Sequence, residues 1–260
     1  MRNTDIRIKD MKIKIKFLQD AVFTESPSIA IYKSVCSFIR RIVCICPDVR
    51  CSGCSRNGKC IYSFLTGADF SDFRDIPFIV SYDPSLKREF KSEEIHEYYF
   101  TLIGDAVEFV DFIIFSLKEY EQRGLFGGKC FFKIISLEIN NNLNPISSFI
   151  DGINILTPVV FKNDILENQY GRIKYLNDKF HIFCSDIEYI KPSYELKLYH
   201  KLSHEQRFGE SIIADNGFIA EIKFNDGIAL DDVLKLSEIT GFGNFNFFNG
   251  RNAVYIERDE

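Results

Sequence analysis

The sequence predicts an α+β protein in which strands alternate with amphipathic helices. Residues 11–18 alternate Lys with Ile and Phe, the period of a strand with one solvated face. Apolar residues recur every three or four positions in residues 27–44 and again in residues 107–117, which indicates two helices with one buried side each. With 46% hydrophobic and 27% charged residues, the composition is that of a globular protein.

The first half of the chain predicts a complete ferredoxin-like unit. Ser26 and Pro27 are a favoured N-cap and first helical residue, so the first helix is expected to begin there. Asp105 and Glu108 are spaced as a capping box for the second helix. Further strands are expected over residues 77–82, 95–103 and 129–139. The resulting order of strand, helix, strand, strand, helix, strand is that of the βαββαβ unit, which is also the scaffold of the RNA recognition motif.

The second half predicts a modified unit of the same kind. An Asn-rich stretch at residues 140–145 reads as a linker. After it we expect a helix over residues 229–239, a glycine-rich loop and a last strand, with earlier strands over residues 153–161, 172–176, 179–184, 194–203 and 217–224. The predicted domains are residues 1–140, with a cysteine-rich insert at residues 44–60, and residues 146–260, with a glycine-rich loop at residues 241–251.

Charge is distributed unevenly along the chain. Residues 1–60 contain twelve Lys and Arg against five Asp and Glu, whereas residues 61–260 contain twenty against thirty-two, so the net charge of −5 conceals a basic segment. This asymmetry predicts either a basic face for nucleic acid or solvated lysines on an edge strand. On the first helix, Lys33, Arg40 and Arg41 are the candidate RNA contacts. No apolar run has the roughly 20 residues of a membrane span, and the charged N-terminus is unlike a signal peptide, so we expect a cytoplasmic protein.

Five of the eight cysteines lie within seventeen residues: Cys44, Cys46, Cys51, Cys54 and Cys60. In a reducing compartment, disulfides are rare and clustered thiolates are natural metal ligands. Cys51 and Cys54 are separated by two residues, a spacing that lets both sulfurs face one ion. We expect a structural zinc, with an iron–sulfur cluster as the less favoured occupant and a metal-free thiol loop as the alternative. Whether Cys44 or Cys46 completes the set stays open.

Several weak motifs occur together in one order. They are RRIVCICPDVRCSGCSRNGKCIYSFL, the strand ending at residues 102–106, RGLFGGKCFFKI, ILTPVVF, LYHKLSHEQRFGESIIADNGFIAEIKF and LKLSEITGFGNFNFFNG. This series, over about residues 26–257, resembles the RAMP-superfamily endoribonucleases that process CRISPR precursor RNA and carry a four-cysteine insert. The resemblance implies metal-independent cleavage of repeat RNA, in which the 2′-hydroxyl attacks the adjacent phosphate and leaves a 2′,3′-cyclic phosphate.

Such a reaction needs a base, an acid and a cation near the phosphoryl oxygens. Residues 21–60 contain no histidine, so the first helix does not supply the imidazole that many members of the family use. His200 and His204 lie close together with Lys201 and Arg207 in the segment that resembles the family. We therefore predict His200, His204 and Lys201 as catalytic residues and Arg207 as an RNA contact. A solvated strand edge is the alternative interpretation, and Tyr32 or Lys33 would be the next candidates for the chemistry.

The glycine-rich loop is the other expected RNA contact. Glycine permits positive φ and lets backbone N–H groups approach phosphates, so Gly241, Gly243, Asn244 and Arg251 are candidates. Its phenylalanines, Phe242 among them, could stack on bases or fold into the core. The implied partners are CRISPR repeat RNA and other CRISPR subunits, not DNA or a membrane, and no cofactor is required for catalysis. Two alternative functions remain: a non-catalytic RNA-binding subunit of a CRISPR complex, and a structural adaptor organised around the metal.

Overall fold

The computed structural model describes residues 6–70, 76–81, 87–141, 149–161, 163–183, 187–208, 211–229, 231–243 and 254–258. The first half contains β1 (Ile8–Phe17), β2 (Ala21–Val22), α1 (Pro27–Val43), α2 (Ile61–Leu65), α3 (Gly67–Phe70), β3 (Phe78–Val80), β4 (Glu89–Phe90), β5 (Ile95–Ile103), α4 (Val110–Arg123) and β6 (Phe132–Asn140). Among these described residues, as in the rest of the described chain, no helix has the length and apolar character to cross a bilayer.

The first sheet confirms the predicted ferredoxin-like topology. Its strands lie in the order β3, β5, β1, β6 and every pair is antiparallel. The period of two along β1 separates buried Ile13 and Ile15, each 1% exposed, from half-buried Lys12 and Lys14. The buried side packs under α1 and α4, because the apolar stripe of each helix has to leave water.

The predicted capping box at Asp105 is wrong. The chain passes through a 3-10 turn, Gly104–Phe109, before α4 begins, and Phe109 at the start of α4 makes no side-chain cap. The Asp105 carboxylate instead accepts a hydrogen bond from Arg7 and lies 2.8 Å from Nδ1 of His181. Asp105 therefore binds Arg7 and His181, two residues distant in sequence, and does not cap the helix as its spacing from Glu108 predicts.

The second half is a second βαββαβ unit. It contains β7 (Phe149–Val159), α5 (Ile165–Phe180), β8 (Tyr194–Phe208), β9 (Ser211–Ala229), α6 (Asp232–Thr240) and β10 (Val254–Arg258). The sheet order is β10, β7, β9, β8, which repeats the order of the first sheet with β7, β8, β9 and β10 in place of β1, β3, β5 and β6. The fold class predicted from the sequence is thus confirmed, and the modification of the second unit is its long β8–β9 hairpin.

The strands expected over residues 172–176 and 179–184 are wrong, because α5 covers most of them. Asp164 caps this helix, its carboxylate accepting the backbone N–H groups of Leu166 and Glu167 at 3.0 Å. Buried positions then recur at helical spacing: Ile165, Leu166, Gln169, Tyr170, Ile173, Leu176 and Phe180. The alternation of polar and apolar residues in Arg-Ile-Lys-Tyr-Leu covers only five positions. The Asp164 cap and the apolar period of 3.6 residues over the whole segment favour the helix instead.

The two units meet where β1 begins and α5 ends. The N–H of Arg7 donates to the carbonyl of Ile182 at 2.8 Å, and the N–H of Gly104 donates to the carbonyl of Arg7 at 2.8 Å. Gly104 has φ +57°, and a Cβ built on it would lie 1.9 Å from the carbonyl oxygen of Phe180. Backbone therefore packs directly on backbone at this junction, which fixes the end of α5 against the first sheet.

Candidate nucleic-acid interface

The base of the glycine-rich loop is tied to α5. Gln169 donates from Nε2 to the Gly241 carbonyl at 3.0 Å and to Oγ of Ser237 at 2.8 Å, and its Oε1 accepts the Gly243 N–H at 3.1 Å. Gly241 and Gly243 both have positive φ, +77° and +89°, which explains the glycines. Phe242 between them is 0% exposed, so its ring belongs to the core. The alternative in which this phenylalanine stacks on bases is wrong.

Two of the predicted loop contacts, Asn244 and Arg251, lie outside the described residues, as do the phenylalanines at positions 245, 247 and 248. The described entry to the loop is held by the side chains of Gln169 and Arg172 on α5, so the loop leaves from a fixed position in the second unit.

The predicted catalytic residues lie on the long hairpin. His200, Lys201, His204 and Arg207 all belong to β8, which pairs with β9 in antiparallel register. Lys201 pairs with Phe218 and His204 with Asp215, while the register shifts between Leu198 and Lys201. The side chains of these four residues are outside the described part of the structure, and their catalytic roles stay a prediction.

The cations predicted on α1 do not share one open face. Lys33 is paired with Glu25, and the Nη1 atom of Arg40 lies 3.4 Å from a carboxylate oxygen of Asp69. Arg41 is exposed, with its guanidinium 5.0 Å from the ring centre of Phe38. Two of the three charges are therefore neutralised within the chain, and Arg41 is the one of the three that projects into solvent.

Acidic residues also form ion pairs with the lysines of β1. The ammonium groups of Lys12 and Lys14 each lie 2.9 Å from a carboxylate oxygen of Glu97, and Lys16 lies 2.8 Å from Glu93. Hydrogen bonds from Lys14 and then Lys12 lower the pKa of Glu97 to about 2. Carboxylates from later in the sequence thus offset part of the positive balance of residues 1–60. Counting charges by segment overstates the basic face, because the fold brings Glu97 of β5 and Glu93 of the preceding turn beside the lysines.

The five clustered cysteines surround one cavity. Cys44, Cys46, Cys51, Cys54 and Cys60 line a space of about 220 Å³ between the end of α1 and the start of α2. A hydrogen bond between the thiols of Cys46 and Cys54 raises the pKa of Cys46, and burial raises the pKa of Cys51 to about 11. The Arg56 N–H donates to Sγ of Cys54 at 3.5 Å. By contrast, Cys36 and Cys130 are each 3% exposed, as expected of small core residues.

The donor chemistry of this cavity fits a thiophilic ion. Five cysteines line one space, and the backbone N–H directed at Sγ of Cys54 is a contact of the kind that surrounds metal-bound sulfur. Among the residues that the structure describes, no group of three or more His, Cys, Asp or Glu side chains is arranged as a metal site. The sulfurs therefore share a cavity without forming a tetrahedron, and the structural zinc stays a prediction. Its ligands would come from the five cysteines, closing the loop and stabilising the first unit.

We expect purified protein to carry about one zinc ion or one iron–sulfur cluster per chain, because four thiolates complete the ligand set of either. Elemental analysis measures this directly. Cys51→Ser should lower the metal content and the melting temperature, by roughly 2–4 °C for each kcal/mol lost. Cys130→Ser is the matched control, since Cys130 is buried outside the cavity and its replacement should leave the metal content unchanged. Wild-type protein free of both metals would contradict the prediction.

The described histidines lie elsewhere. His96 on β5 packs at 4.4 Å edge-on against Phe90, and burial lowers its pKa. His181 follows α5 with φ +55°, its side chain 70% exposed and its Nδ1 bound to Asp105. Partial burial acts to raise the pKa of Asp105, but hydrogen bonds from His181 and Arg7 outweigh it and lower that pKa. Sequence reasoning missed this trio because its members are 76 and 98 positions apart.

A known protein family and several solved structures are similar to this chain. The profile of the AF_1859_N family, described as an N-terminal domain, matches residues 6–156. The chain belongs to this family. The matched part of the chain runs from the start of β1 into β7, and therefore includes the first sheet, both of its helices and the cysteine cavity. None of the curated proteins matches the chain by sequence.

Solved structures match over nearly the whole chain. A structure of the product of a Cas6-related gene from Pyrococcus furiosus is 12% identical with a TM-score of 0.55, covering 97% of this chain and 100% of that one. A CRISPR-associated protein Cas6 is 13% identical with a TM-score of 0.50, covering 98% and 100%. An RAMP protein that binds different RNA substrates is 10% identical with a TM-score of 0.51, covering 97% and 100%. At these identities the likeness establishes a shared fold, and it confirms the fold that the sequence resemblance implied.

Proposed function

We propose that this protein binds CRISPR repeat RNA and cleaves it to produce guide RNAs. The observation that carries the proposal is the pair of complete βαββαβ units, whose arrangement is shared over nearly the whole chain with Cas6-related proteins. Each unit has the sheet on which RNA recognition motifs bind single strands. The anchored entry of the glycine-rich loop, at Gly241 and Gly243, adds a backbone surface suited to phosphate.

The proposed chemistry uses the RNA's own 2′-hydroxyl. His200 or His204 would take its proton, Lys201 would neutralise the phosphoryl oxygens, and the other imidazole would protonate the leaving 5′-oxygen. The products are a 2′,3′-cyclic phosphate and a 5′-hydroxyl, so the O–P bond formed and the O–P bond broken balance without a metal. The long β8–β9 hairpin supports Lys201 and His204 on a paired backbone, and His200 lies at the register shift just before them, which suits a site that must hold an in-line geometry.

One observation favours a second candidate, an RNA-binding subunit of a CRISPR complex that does not cut. Tyr32, an alternative source of catalysis on α1, is 0% exposed and donates its hydroxyl to the Phe78 carbonyl at 2.8 Å. Lys33 beside it is paired with Glu25. The first helix therefore offers no free acid–base group at these two positions. If the β8 residues are not catalytic, Tyr32 and Lys33 of α1 are not positioned to take over their acid–base role.

A cleavage assay in EDTA separates the two candidates. The protein would be incubated with a panel of synthetic CRISPR repeat RNAs labelled at the 5′ end, and the products resolved on denaturing and native gels. A discrete cut in EDTA, ending in a cyclic phosphate, supports the endoribonuclease. A native-gel shift without a cut supports the binding subunit. Failure to shift or cut any repeat RNA contradicts both and favours the metal-binding adaptor.

A further inference from the structure

Arg172 is a charged side chain that has no acidic partner among the residues that the structure describes. It lies on α5, is partly buried, and donates from Nη1 to the Gly241 carbonyl at 3.0 Å. Burial lowers the pKa of its guanidinium to about 10. Within the described chain, no Asp or Glu forms an ion pair with it, whereas Lys33, Arg40 and Lys191 each have one. A cation held partly out of water gains from a counter-charge.

The surroundings of Arg172 on α5 contain no acid either. Residues one turn away on the same helix are its surface neighbours. They are Asn168, Gln169, Tyr175 and Leu176, all uncharged. The hydrogen bond to Gly241 uses one of the five N–H donors of a guanidinium. Several donors thus stay available for an anion that the described residues do not supply.

An exposed aromatic ring and a second cation continue the same helix face. Tyr175, three residues after Arg172, is 42% exposed, and Lys179 follows one further turn along. Guanidinium and ammonium groups interleaved with an aromatic ring fit a nucleic-acid strand, because phosphates pair with the cations while a base stacks on the ring. A free inorganic phosphate would use only the first of these features.

We propose that Arg172 binds a backbone phosphate of RNA while its Nη1 holds the entry of the glycine-rich loop at Gly241. This inference rests on the proposed function and names a binding residue within it. The guanidinium then has two roles: it holds the carbonyl of Gly241, the residue that follows α6, and it presents its remaining donors to the RNA strand. A role confined to capping α6 is the competing explanation.

The salt dependence of RNA binding separates the two explanations. Each phosphate contact contributes about 0.7 to the slope of log affinity against log salt for single-stranded nucleic acid. Fluorescence anisotropy with labelled single-stranded repeat RNA would be measured at several salt concentrations. Arg172→Met is expected to weaken binding about 10–100-fold, the range for a hydrogen bond to a charged group, and to reduce the slope by about 0.7.

Three further variants make the result decisive. Arg172→Gln removes the charge but keeps an amide donor, so it repeats the test if Arg172→Met fails to fold. Arg172→Lys keeps the charge and should retain the slope. Lys174→Met removes an exposed lysine of α5 outside this face and should change affinity by less than about threefold.

The outcomes are distinct. A reduced slope in Arg172→Met or Arg172→Gln, with Lys174→Met near wild type, supports the phosphate contact. An unchanged slope in a folded charge-removing variant, whatever its affinity, overturns the inference and leaves Arg172 as a cap of α6. Wild-type protein that binds no repeat RNA overturns the proposed function itself, and this inference with it.

Discussion

Gly104→Ala should be among the most destabilising single-methyl changes in this protein. The methyl group would lie 1.9 Å from the carbonyl oxygen of Phe180 and 2.6 Å from its carbonyl carbon, both of them backbone atoms. Backbone cannot rotate away as a flexible side chain does, so the end of α5 has to move. Overpacking costs about 1–3 kcal/mol, and the left-handed backbone at φ +57° adds about 1–2 kcal/mol for any residue with a Cβ.

Thermal unfolding measures this effect. A combined loss of about 2–5 kcal/mol corresponds to a fall in melting temperature of roughly 4–20 °C for a chain of this size. Gly171→Ala is the matched control, because Gly171 lies inside α5 and a Cβ there meets nothing within 4 Å. Replacing a mid-helix glycine by alanine should stabilise by about 0.5–1 kcal/mol. Equal melting temperatures for the two variants would contradict the close packing of the two units at Gly104.

His200→Ala and His204→Ala should have the largest effects on activity. A positioned acid or base contributes about 10²–10⁴ in rate, so each variant is expected to cut repeat RNA slower by that factor. Affinity for the RNA should change by less than about threefold, since a single imidazole adds little to phosphate binding. Single-turnover cleavage and equilibrium binding, measured on the same RNA, separate the two quantities.

The control for this pair is His181→Ala. His181 lies outside β8, with its side chain 70% exposed at the junction of the two units, and its variant should retain cleavage. Wild-type rates for both His200→Ala and His204→Ala would show that the chemistry lies elsewhere. A comparable loss in His181→Ala would instead direct attention to the Arg7, Asp105 and His181 trio.

The first unit was predictable from sequence because its elements are long and their periods clear. The Lys and Ile alternation of β1 and the apolar stripe of α1 each dictate one conformation and one buried side. In the second unit the prediction failed at α5, where a short alternating stretch was read as strand. The deciding signal was the Asp164 cap eight residues upstream. A fixed N-cap constrains the conformation of a helix more than four or five alternating residues do.

The candidate site was less predictable than the fold. The cysteines are close in sequence, so their shared cavity followed from spacing. Arg172 and Gly241 are 69 positions apart and meet through the packing of α5 on the end of α6. No local pattern reports such a contact. The same holds for Glu97, because its position beside Lys12 and Lys14 depends on the register between the neighbouring strands β1 and β5.

A competition experiment tests most directly whether this protein recognises RNA, as we propose. Labelled single-stranded repeat RNA would be bound to the wild-type protein and displaced by unlabelled RNA or by DNA of the same sequence. A protein built for RNA distinguishes the 2′-hydroxyl, so the RNA competitor should be at least about tenfold more effective, which corresponds to about 1.4 kcal/mol. Equal competition by RNA and DNA, or no binding of the labelled RNA at all, would contradict RNA recognition by this protein.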